Sequence, residues 1–243
     1  MFRLTIPRDI ARALVLFAAK QDIRYYLNGV YVEKHANTAR LVTTDGHRLC
    51  VASVTPAEGD TGHGSAIIPR EFFDAVKRGK HGFALVLEVQ ESGGATGAHD
   101  GNPFVLRDFD ARDSMGKTIE GRFPDWSKVT PAKVSGEPAH FNPDYLADFK
   151  KAAEILGDKS GCFPFGYNGG SAAIAQLRSD VIGVLMPMRG DTLAESPDWI
   201  REDCAAAGRV PDVDKAREMA EKENAGELAT EDPAPAETVA IAA

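Results

Sequence analysis

The side chains that could do chemistry in this sequence lie mainly in one short run, Thr44-Asp45-Gly46-His47-Arg48-Leu49. His47 beside Asp45 is the kind of pair that an acid/base site or a metal site would use. Asp45-Gly46, however, is a favoured hairpin turn, because both residues tolerate positive φ. Side chains that flank such a turn point to different faces or different depths, and no second His or Cys lies at ligand spacing. The run therefore predicts a turn rather than a catalytic or metal-binding site.

The other candidates for chemistry point the same way. The stretch from Gly93 to Gly101 lacks the Lys-Ser/Thr pair of a phosphate-binding loop, so a long hairpin loop is the better interpretation. Cys50, Cys162 and Cys204 are odd in number and widely spaced, which fits free thiols better than a disulfide framework or a zinc cluster. The sequence predicts no catalytic residue, no metal and no cofactor.

Net charge is the next feature that bears on function. The chain of 243 residues carries a net charge of -8, and residues 191–243 alone hold fourteen acidic and five basic residues. Residues 1–190 therefore keep 22 acidic and 23 basic residues, so the overall acidity does not exclude nucleic acid as a partner of the body. The acidic end, rich in Ala, Glu and Pro, is predicted to be mostly disordered after about residue 210, with short helices near 196–207 and 212–223.

No apolar run of eighteen residues occurs, and Arg8 and Asp9 precede the first apolar segment. Neither a membrane span nor a signal peptide is expected. We therefore expect a cytoplasmic protein.

The elements that would position the runs of interest repeat three times. Each repeat predicts a strand, a helix that follows Pro or Asn-Pro, and three further strands, which is a βαβββ module. The first predicted helix begins after Pro7, and the other two span 70–78 and 143–156. The predicted strands are 2–6, 25–33, 39–44 and 47–53 in the first repeat, 65–69, 84–90, 104–111 and 114–121 in the second, and 139–142, 162–167, 171–177 and 181–188 in the third. Helices packed on mostly antiparallel strands predict an α+β fold.

Four separated segments resemble the bacterial replication sliding clamp, the β subunit of DNA polymerase III. They are Arg24-Tyr25-Tyr26-Leu27-Asn28-Gly29, the run Thr44–Leu49, Gly121-Arg122-Phe123-Pro124-Asp125-Trp126, and Leu185-Met186-Pro187-Met188-Arg189, in the order in which that family has them. Residues 1–127 resemble the complete middle domain of the clamp. Residues 128–190 resemble only the second half of its last domain, and the matching repeat within them opens with Phe141-Asn142-Pro143-Asp144-Tyr145. Residues 191–243 have no counterpart. The resemblance implies the DNA-clamp fold.

The same resemblance implies a shallow pocket that grips short peptides with a Leu or Phe anchor, carried by polymerases and other replication proteins. Apolar side chains and flexible Met would form the bowl, and Arg, His and Asn would hold the peptide backbone at its rim. The alternative is that these residues are simply core and turn. The implied lining is Leu27, Thr44, Gly46, His47, Arg48, Leu49, Pro124, Val129, Asn142, Tyr145, Val184, Leu185, Met186, Pro187, Met188 and Arg189.

The resemblance also implies sequence-independent contacts between helix side chains and the phosphates of double-stranded DNA. The alternative is an ordinary solvated helix surface, because Asp74, Asp144 and Asp148 share these helices. The implied DNA-binding residues are Arg8, Arg12, Lys20, Arg70, Lys77, Arg78, Lys80, Lys150 and Lys151.

The odd number of modules raises the question of assembly. A half-domain leaves a sheet edge and an apolar helix face in need of a partner, which predicts a homo-oligomer or pairing with a host clamp. The alternative is a monomer in which the third module packs on the second. A clamp relative of this size would suit a phage or mobile element. Three functions remain open: a DNA polymerase processivity factor, a non-encircling module that recruits or sequesters clamp-binding proteins, and, least favoured, an enzyme on an α+β scaffold.

Overall fold

The computed structural model describes residues 1–76, 84–91, 101–109, 111–190, 198 and 200. Within them the helices are α1 (Arg8–Leu14), α2 (Arg70–Asp74) and α3 (Pro143–Ile155), and short 3-10 turns cover Val15–Phe17, Tyr25–Leu27 and Trp126–Val129. The strands are β1 (Phe2–Ile6), β2 (Gly29–Lys34), β3 (Ala39–Thr44), β4 (Arg48–Val54), β5 (Gly64–Pro69), β6 (Leu85–Val89), β7 (Pro103–Asp108), β8 (Ser114–Lys117), β9 (Phe165–Gly166), β10 (Ala173–Arg178) and β11 (Val181–Leu185). This mixture confirms the predicted α+β class.

The strands form two antiparallel sheets. One has four strands in the order β1-β6-β7-β8, and the other has seven in the order β5-β2-β3-β4-β11-β10-β9. The first two repeats therefore exchange their first strands, since β1 pairs with β6 and β5 pairs with β2. The third repeat joins the first by main-chain pairing of β11 with β4, in a register that sets Val184 opposite Leu49.

The larger sheet buries apolar side chains on both faces because side chains alternate along a strand. On β4, Cys50 and Ala52 belong to the core that contains the helices, whereas Leu49 and Val51 belong to a second cluster on the opposite face. Two separate apolar layers are therefore built on one sheet. The candidate site lies on the face opposite the helices.

Each helix begins as its sequence predicts. Pro7 and Pro69 precede α1 and α2, and the side chain of Asn142 caps α3 by accepting a hydrogen bond of 2.9 Å from the backbone N–H of Asp144. The ring of Phe17, just beyond α1, meets Phe149 of α3 edge to face at 4.9 Å. This contact joins the first repeat to the third on the helix side of the seven-stranded sheet.

Gly183 on β11 explains how closely α3 approaches the sheet. A Cβ atom at this position would lie 2.1 Å from Cε1 and 2.8 Å from Cδ1 of the fully buried Phe149. Gly183 is held from both sides by pairing with Cys50 and Ala175, so the strand has little freedom to move away. Only glycine fits here without displacing the ring.

We expect Gly183→Ala to lower the free energy of unfolding by about 1–3 kcal/mol, because the new methyl group overpacks the core. Gly170→Ala is the matched control, since a Cβ atom there meets no heavy atom within 4 Å. Chemical denaturation of both variants measures the difference. Equal stability of the two variants would show that α3 is not docked tightly on β11.

The third repeat departs from its predicted strands. The strand predicted at 139–142 is reduced to one bridge between His140 and Met188, and the strand predicted at 162–167 is reduced to β9. Pro164 has no N–H to give to a ladder, which favours a short strand here. In the second repeat, the helix predicted at 70–78 is shorter in the structure, because α2 ends at Asp74.

Residues Met1–Leu193 form one compact unit. The boundary predicted between 127 and 128 lies inside it and stays a prediction. The predicted disorder of the acidic end and its two short helices lie outside the described residues, apart from 198 and 200. In the described part of the chain, no helix combines the length and apolar character needed to cross a membrane.

Candidate functional site

A pocket of about 240 Å³ opens on the face of the seven-stranded sheet opposite the helices, where β4 meets β11. Four separated stretches of sequence supply its walls: 24–27, 44–49, 124–129 and 184–186. The lining residues are Arg24, Leu27, Thr44, Gly46, His47, Arg48, Leu49, Pro124, Asp125, Trp126, Val129, Val184 and Met186.

The floor of the pocket is apolar and held by secondary structure. Leu49 and Val184 are register partners on neighbouring strands, and they are 5% and 1% exposed. The 3-10 turn Tyr25–Leu27 adds Leu27, which is 1% exposed. All three belong to the apolar cluster on this face of the sheet, so the floor is rigid.

The hairpin turn between β3 and β4 forms one rim. Oδ1 of Asp45 accepts hydrogen bonds from the backbone N–H groups of His47 and Arg48 at 2.9 and 3.0 Å. Gly46 has a φ of 92°, and a Cβ atom there would lie 2.8 Å from Nη2 of Arg24. The turn therefore requires glycine both for its backbone conformation and for the approach of that guanidinium.

Arg24 is fixed beside this turn. Its guanidinium donates to both oxygens of Asp22 at 3.0 and 2.7 Å, and Nη2 lies 3.4 Å from the carbonyl oxygen of Asp45. The side-chain hydrogen bonds from Arg24 lower the pKa of Asp22 to about 2. The hydrogen bond to Asp22 likewise raises the pKa of Arg24, so both groups stay charged at neutral pH.

Arg48 acts as a junction rather than as a free donor at the rim. Nε lies 3.0 Å from Asp45, Nη1 lies 2.7 Å from Asp148 on α3, and Nη2 donates to the carbonyl oxygen of Leu16 at 3.1 Å. The guanidinium also sits over the rings of Tyr145 and Phe17, with its carbon 4.6 and 5.4 Å from their centres. The hairpin, the end of α1 and the start of α3 are thereby held together.

The opposite wall comes from the segment that follows the second repeat. Phe123 is buried and stacks on Tyr31 of β2 at 4.8 Å, which anchors the segment. Pro124 and Trp126 then line the pocket, and the 3-10 turn brings Val129 beside them. Val129 is 46% exposed and Met186, on the far side of the pocket, is 42% exposed. These two apolar side chains are free to cover a ligand.

The structure brings together most of the predicted pocket residues. Those that line the pocket are Leu27, Thr44, Gly46, His47, Arg48, Leu49, Pro124, Val129, Val184 and Met186. Those outside the lining are Asn142, Tyr145, Leu185, Pro187, Met188 and Arg189.

Each residue outside the lining has an observed place. Leu185 belongs to the helix-side core, since it follows Val184 and side chains alternate along β11. Asn142 caps α3, and Tyr145 lies under Arg48 and stacks on His47 at 6.0 Å. The segment 187–189 leaves the sheet after β11, with Met188 56% exposed.

Sequence reasoning missed Arg24, Asp125 and Trp126 as lining residues. All three lie in the runs that carried the resemblance, so their positions were visible but their roles were not. Trp126 had a usable signal, because Trp is highly buried on average and here follows a polar residue outside any predicted strand or helix. A second pocket of about 470 Å³, lined by Tyr31, Glu33, Ser65 and Arg122 among others, lies on the other side of Pro124–Trp126.

The predicted DNA-binding residues are placed unevenly. Lys20, Lys150 and Lys151 are exposed, and Arg12 is half-buried. Arg70 is tied to Asp74 at 2.7 Å and to the carbonyl oxygen of Ala18. Lys77, Arg78 and Lys80 lie outside the described residues.

Arg8 departs from the surface position that the resemblance implies. Its side chain is 6% exposed and forms an ion pair with Asp108 on β7. A buried, paired guanidinium offers no charge to a phosphate outside the protein.

The two cysteines of the described residues, Cys50 and Cys162, are both free thiols, the first buried and the second exposed. In that part of the chain, no three His, Cys, Asp or Glu side chains lie close enough to share a metal ion. Cys50 is fully buried on the helix side of β4, and burial raises the pKa of its thiol. The ring of His47 stacks on Tyr145, and its backbone carbonyl oxygen accepts a hydrogen bond of 2.9 Å from the N–H of Met186.

Comparison with known proteins shows which proteins this chain is similar to. Residues 7–125 match the family model described as "DNA polymerase III beta subunit, central domain". The β sliding clamp of Salmonella typhimurium is 35% identical over 131 residues, which cover 52% of this chain and 33% of the relative. The β sliding clamp of Caulobacter vibrioides is 35% identical over 145 residues, covering 58% of this chain and 36% of the relative. The chain thus spans about a third of the length of these curated relatives.

The likeness in three dimensions extends over more of the chain. The crystal structure of the DNA polymerase III subunit β from Pseudomonas aeruginosa superimposes with a TM-score of 0.57 at 20% identity, covering 78% of this chain and 66% of that one. At that identity the superposition establishes the DNA-clamp fold. Over residues 7–125, the chain is similar to the central domain of the DNA polymerase III β subunit, the sliding clamp.

Proposed function

We propose that this protein is a non-enzymatic processivity factor in DNA replication, which binds the clamp-binding peptides of a DNA polymerase and of other replication proteins. The observation that carries the proposal is the pocket at the junction of β4 and β11. Its rigid apolar floor, two exposed apolar side chains and ordered polar rim are what a short peptide with an apolar anchor requires.

The size of the pocket favours a peptide over a cofactor. Small-molecule sites usually enclose about 300–1,000 Å³. This pocket, of about 240 Å³, is smaller and open to solvent, so it suits one or two side chains of a longer ligand. The backbone of that ligand would run along the surface between the hairpin turn and the segment 124–129.

A labelled short peptide carrying Leu and Phe is expected to bind with a dissociation constant in the roughly micromolar range, as shallow grooves with few anchors do. The same peptide with both anchors replaced by Ala is expected to bind at least about tenfold more weakly, because each buried apolar side chain contributes about 1.5–3 kcal/mol. Fluorescence anisotropy titration measures both. Equal affinities for the two peptides would contradict anchoring in an apolar pocket.

Double-stranded DNA is the second proposed partner, held without sequence preference by the helix side. α1 and α3 contact each other. Arg12 lies on α1, and the exposed Lys150 and Lys151 lie on α3. Homo-oligomerisation, or pairing with a host clamp, would be needed for a ring around the duplex. The proposed compartment is the cytoplasm.

Lys150→Ala/Lys151→Ala is expected to weaken DNA binding and to reduce the slope of log K against log salt by about 2, because each lost phosphate contact releases about 0.9 fewer counterions. Lys128→Ala/Lys133→Ala removes the same charge from the exposed segment after the second repeat and is the control. Binding measured across a salt series compares them. An unchanged slope in the α3 variant would remove α3 from the DNA-facing surface.

The placement of charges gives a second candidate function its support. Arg8 is buried with Asp108, and Arg70 is tied to Asp74, so the helices offer fewer available cations than the sequence implies. A module that recruits or sequesters clamp-binding proteins without encircling DNA would need only the pocket. Peptide binding with no retention on circular DNA would favour this second function.

A further inference from the structure

The segment Val134–Glu137, which leads from the second repeat into the third, runs beside the short strand β9. The backbone N–H of Gly136 donates to the carbonyl oxygen of Tyr167 at 3.0 Å, and the N–H of Gly169 donates to the carbonyl oxygen of Glu137 at 2.8 Å. Two main-chain hydrogen bonds of opposite direction therefore join this segment to the chain that leaves β9. This is the kind of bonding that a neighbouring strand would supply.

The hydrogen-bond pattern shows which edge of β9 is involved. β9 pairs with β10 in a register that sets Gly166 opposite Ile174, and the N–H of Gln176 donates to the carbonyl oxygen of Pro164. In an antiparallel pair, residues two apart direct their backbone N–H and C=O groups to the same side, and adjacent residues direct theirs to opposite sides. Pro164 and Gly166 therefore face β10, whereas Phe165 and Tyr167 face away from it. The carbonyl group of Tyr167 consequently points away from β10. The segment lies on the outer edge of the seven-stranded sheet.

Side chains reinforce this placement. A Cβ atom on Gly166 would lie 3.0 Å from Cγ2 of Val134, so the valine packs directly over the glycine backbone. The N–H of Ser135 donates to Oδ1 of Asn168 at 3.1 Å, and the amide of Asn168 donates in turn to the carbonyl oxygen of Ala172. The segment is therefore packed against β9 through Val134 and hydrogen-bonded to residues 167–169, which follow β9.

The helix of the third repeat is also satisfied within the chain. Among the described residues, the large apolar side chains with high exposure include none from α3. Phe141, Phe163 and Phe165 are partly buried against the helix-side core and contact one another edge to face or at a tilt. The unpartnered apolar helix face that the sequence predicts is absent from the described part of α3.

We propose that Val134–Glu137 acts as a strap that occupies the outer edge of β9 and prevents this edge from pairing with a strand of a second copy of this chain. Unpaired N–H and C=O groups at a sheet edge are a template for another strand, and proteins commonly cover such edges with a loop. Here the covering loop is the connection between repeats two and three. This inference concerns a different surface from the peptide pocket and does not depend on it.

Amide hydrogen exchange in the full chain tests the position of the strap. The N–H groups of Gly136 and Gly169 are expected to exchange at least about tenfold more slowly than in an unstructured peptide, because they donate the two main-chain hydrogen bonds that join the strap to the chain after β9. Exchange of both amides at the unstructured rate would overturn the proposal, whatever any variant does.

Gly136→Pro tests the blocking role. Proline removes the N–H that bonds Tyr167, and it cannot adopt the φ of 80° observed at this position. Gly59→Pro is the matched control, since Gly59 has a φ of 90° and lies in the connection between β4 and β5. Analytical ultracentrifugation over a range of concentrations measures association.

Gly136→Pro is expected to form heavier species in amounts that rise with concentration, whereas Gly59→Pro and the parent should show the same mass distribution as each other. A Gly136→Pro variant that exchanges the Gly169 amide rapidly but keeps the parent's mass distribution would overturn the blocking role. Equal association by both proline variants would overturn it too, because general destabilisation would then be the cause.

Discussion

Asp108→Ala is expected to lower the free energy of unfolding by about 3–5 kcal/mol, because it breaks a buried, bidentate ion pair with Arg8 by removing one of its members. Arg8 is 6% exposed and Asp108 is 8% exposed. Nη1 of Arg8 lies 3.0 Å from Oδ2 of the aspartate, and Nη2 pairs with Oδ1, so the contact is bidentate. The pair joins the first turn of α1 to the end of β7, and its loss should weaken the packing of the first repeat against the second.

Arg107→Ala is the control for this experiment. Arg107 is the neighbouring residue on β7, and its ion pairs with Glu88 at 3.2 Å and Asp113 at 3.1 Å are exposed. Water screens such pairs, so the change in stability should be far smaller than for Asp108→Ala. Urea denaturation followed by circular dichroism measures both.

A second variant separates the burial of a charge from simple damage to the fold. Arg8→Met/Asp108→Leu removes both charges and keeps apolar volume, so it should recover most of the stability lost in Asp108→Ala. A double variant as unstable as the single one would mean that the broken ion pair is not the cause. Equal losses of unfolding free energy in Asp108→Ala and Arg107→Ala would also mean that the burial of the ion pair is not the cause.

Most strands of the first repeat could be predicted closely because their local signals agreed with the final fold, but the strand predicted at 25–33 begins only at Gly29, since Tyr25–Leu27 forms a 3-10 turn. β1 and β3 begin and end at the predicted residues, and Asp45-Gly46 forms the predicted turn. The pairing of β4 with β11 could not be predicted in the same way. It joins residues such as Leu49 and Val184 that are far apart in sequence, and only the resemblance to a known family related them.

Within the candidate site, sequence reasoning found the runs but not the direction of each side chain. It grouped Val184 with Leu185, although alternation on β11 sends the first to the pocket and the second to the helix-side core. It placed Arg48 at the rim as a donor for a ligand, whereas Asp45, Asp148 and the carbonyl oxygen of Leu16 occupy the guanidinium. Partners supplied by distant elements are invisible in a local pattern.

The third repeat shows a different limit. The strand predicted at 139–142 was assigned by analogy with the first strands of the other repeats, which find partners in each other's sheets. Here that position makes a single bridge, from His140 to Met188. The residues just before it, Val134–Glu137, instead bond to Tyr167 and Gly169, just after β9. A repeat in sequence thus predicts where its own helix begins, but the pairing of its first strand depends on what the rest of the chain provides.

The largest functional effect is expected from Val129→Glu/Met186→Glu, which should weaken peptide binding at least about a hundredfold, or about 2.7 kcal/mol. Both side chains line the pocket and are 46% and 42% exposed, so the new carboxylates can remain solvated in the free protein. An apolar anchor that enters the pocket would have to strip water from those carboxylates, which is costly without a compensating partner. The folded state should therefore survive while the complex does not.

Phe109→Glu/Met115→Glu is the control for the added charge. These side chains are 69% and 76% exposed, and neither lines the pocket. Because this variant gains the same two negative charges, any long-range effect on a charged peptide is common to both variants. Anisotropy titrations with the Leu- and Phe-containing peptide, together with thermal unfolding of each variant, separate loss of binding from loss of fold. If the pocket variant binds within about threefold of the parent, the peptide does not anchor between Val129 and Met186, and the binding surface must be sought elsewhere on the chain.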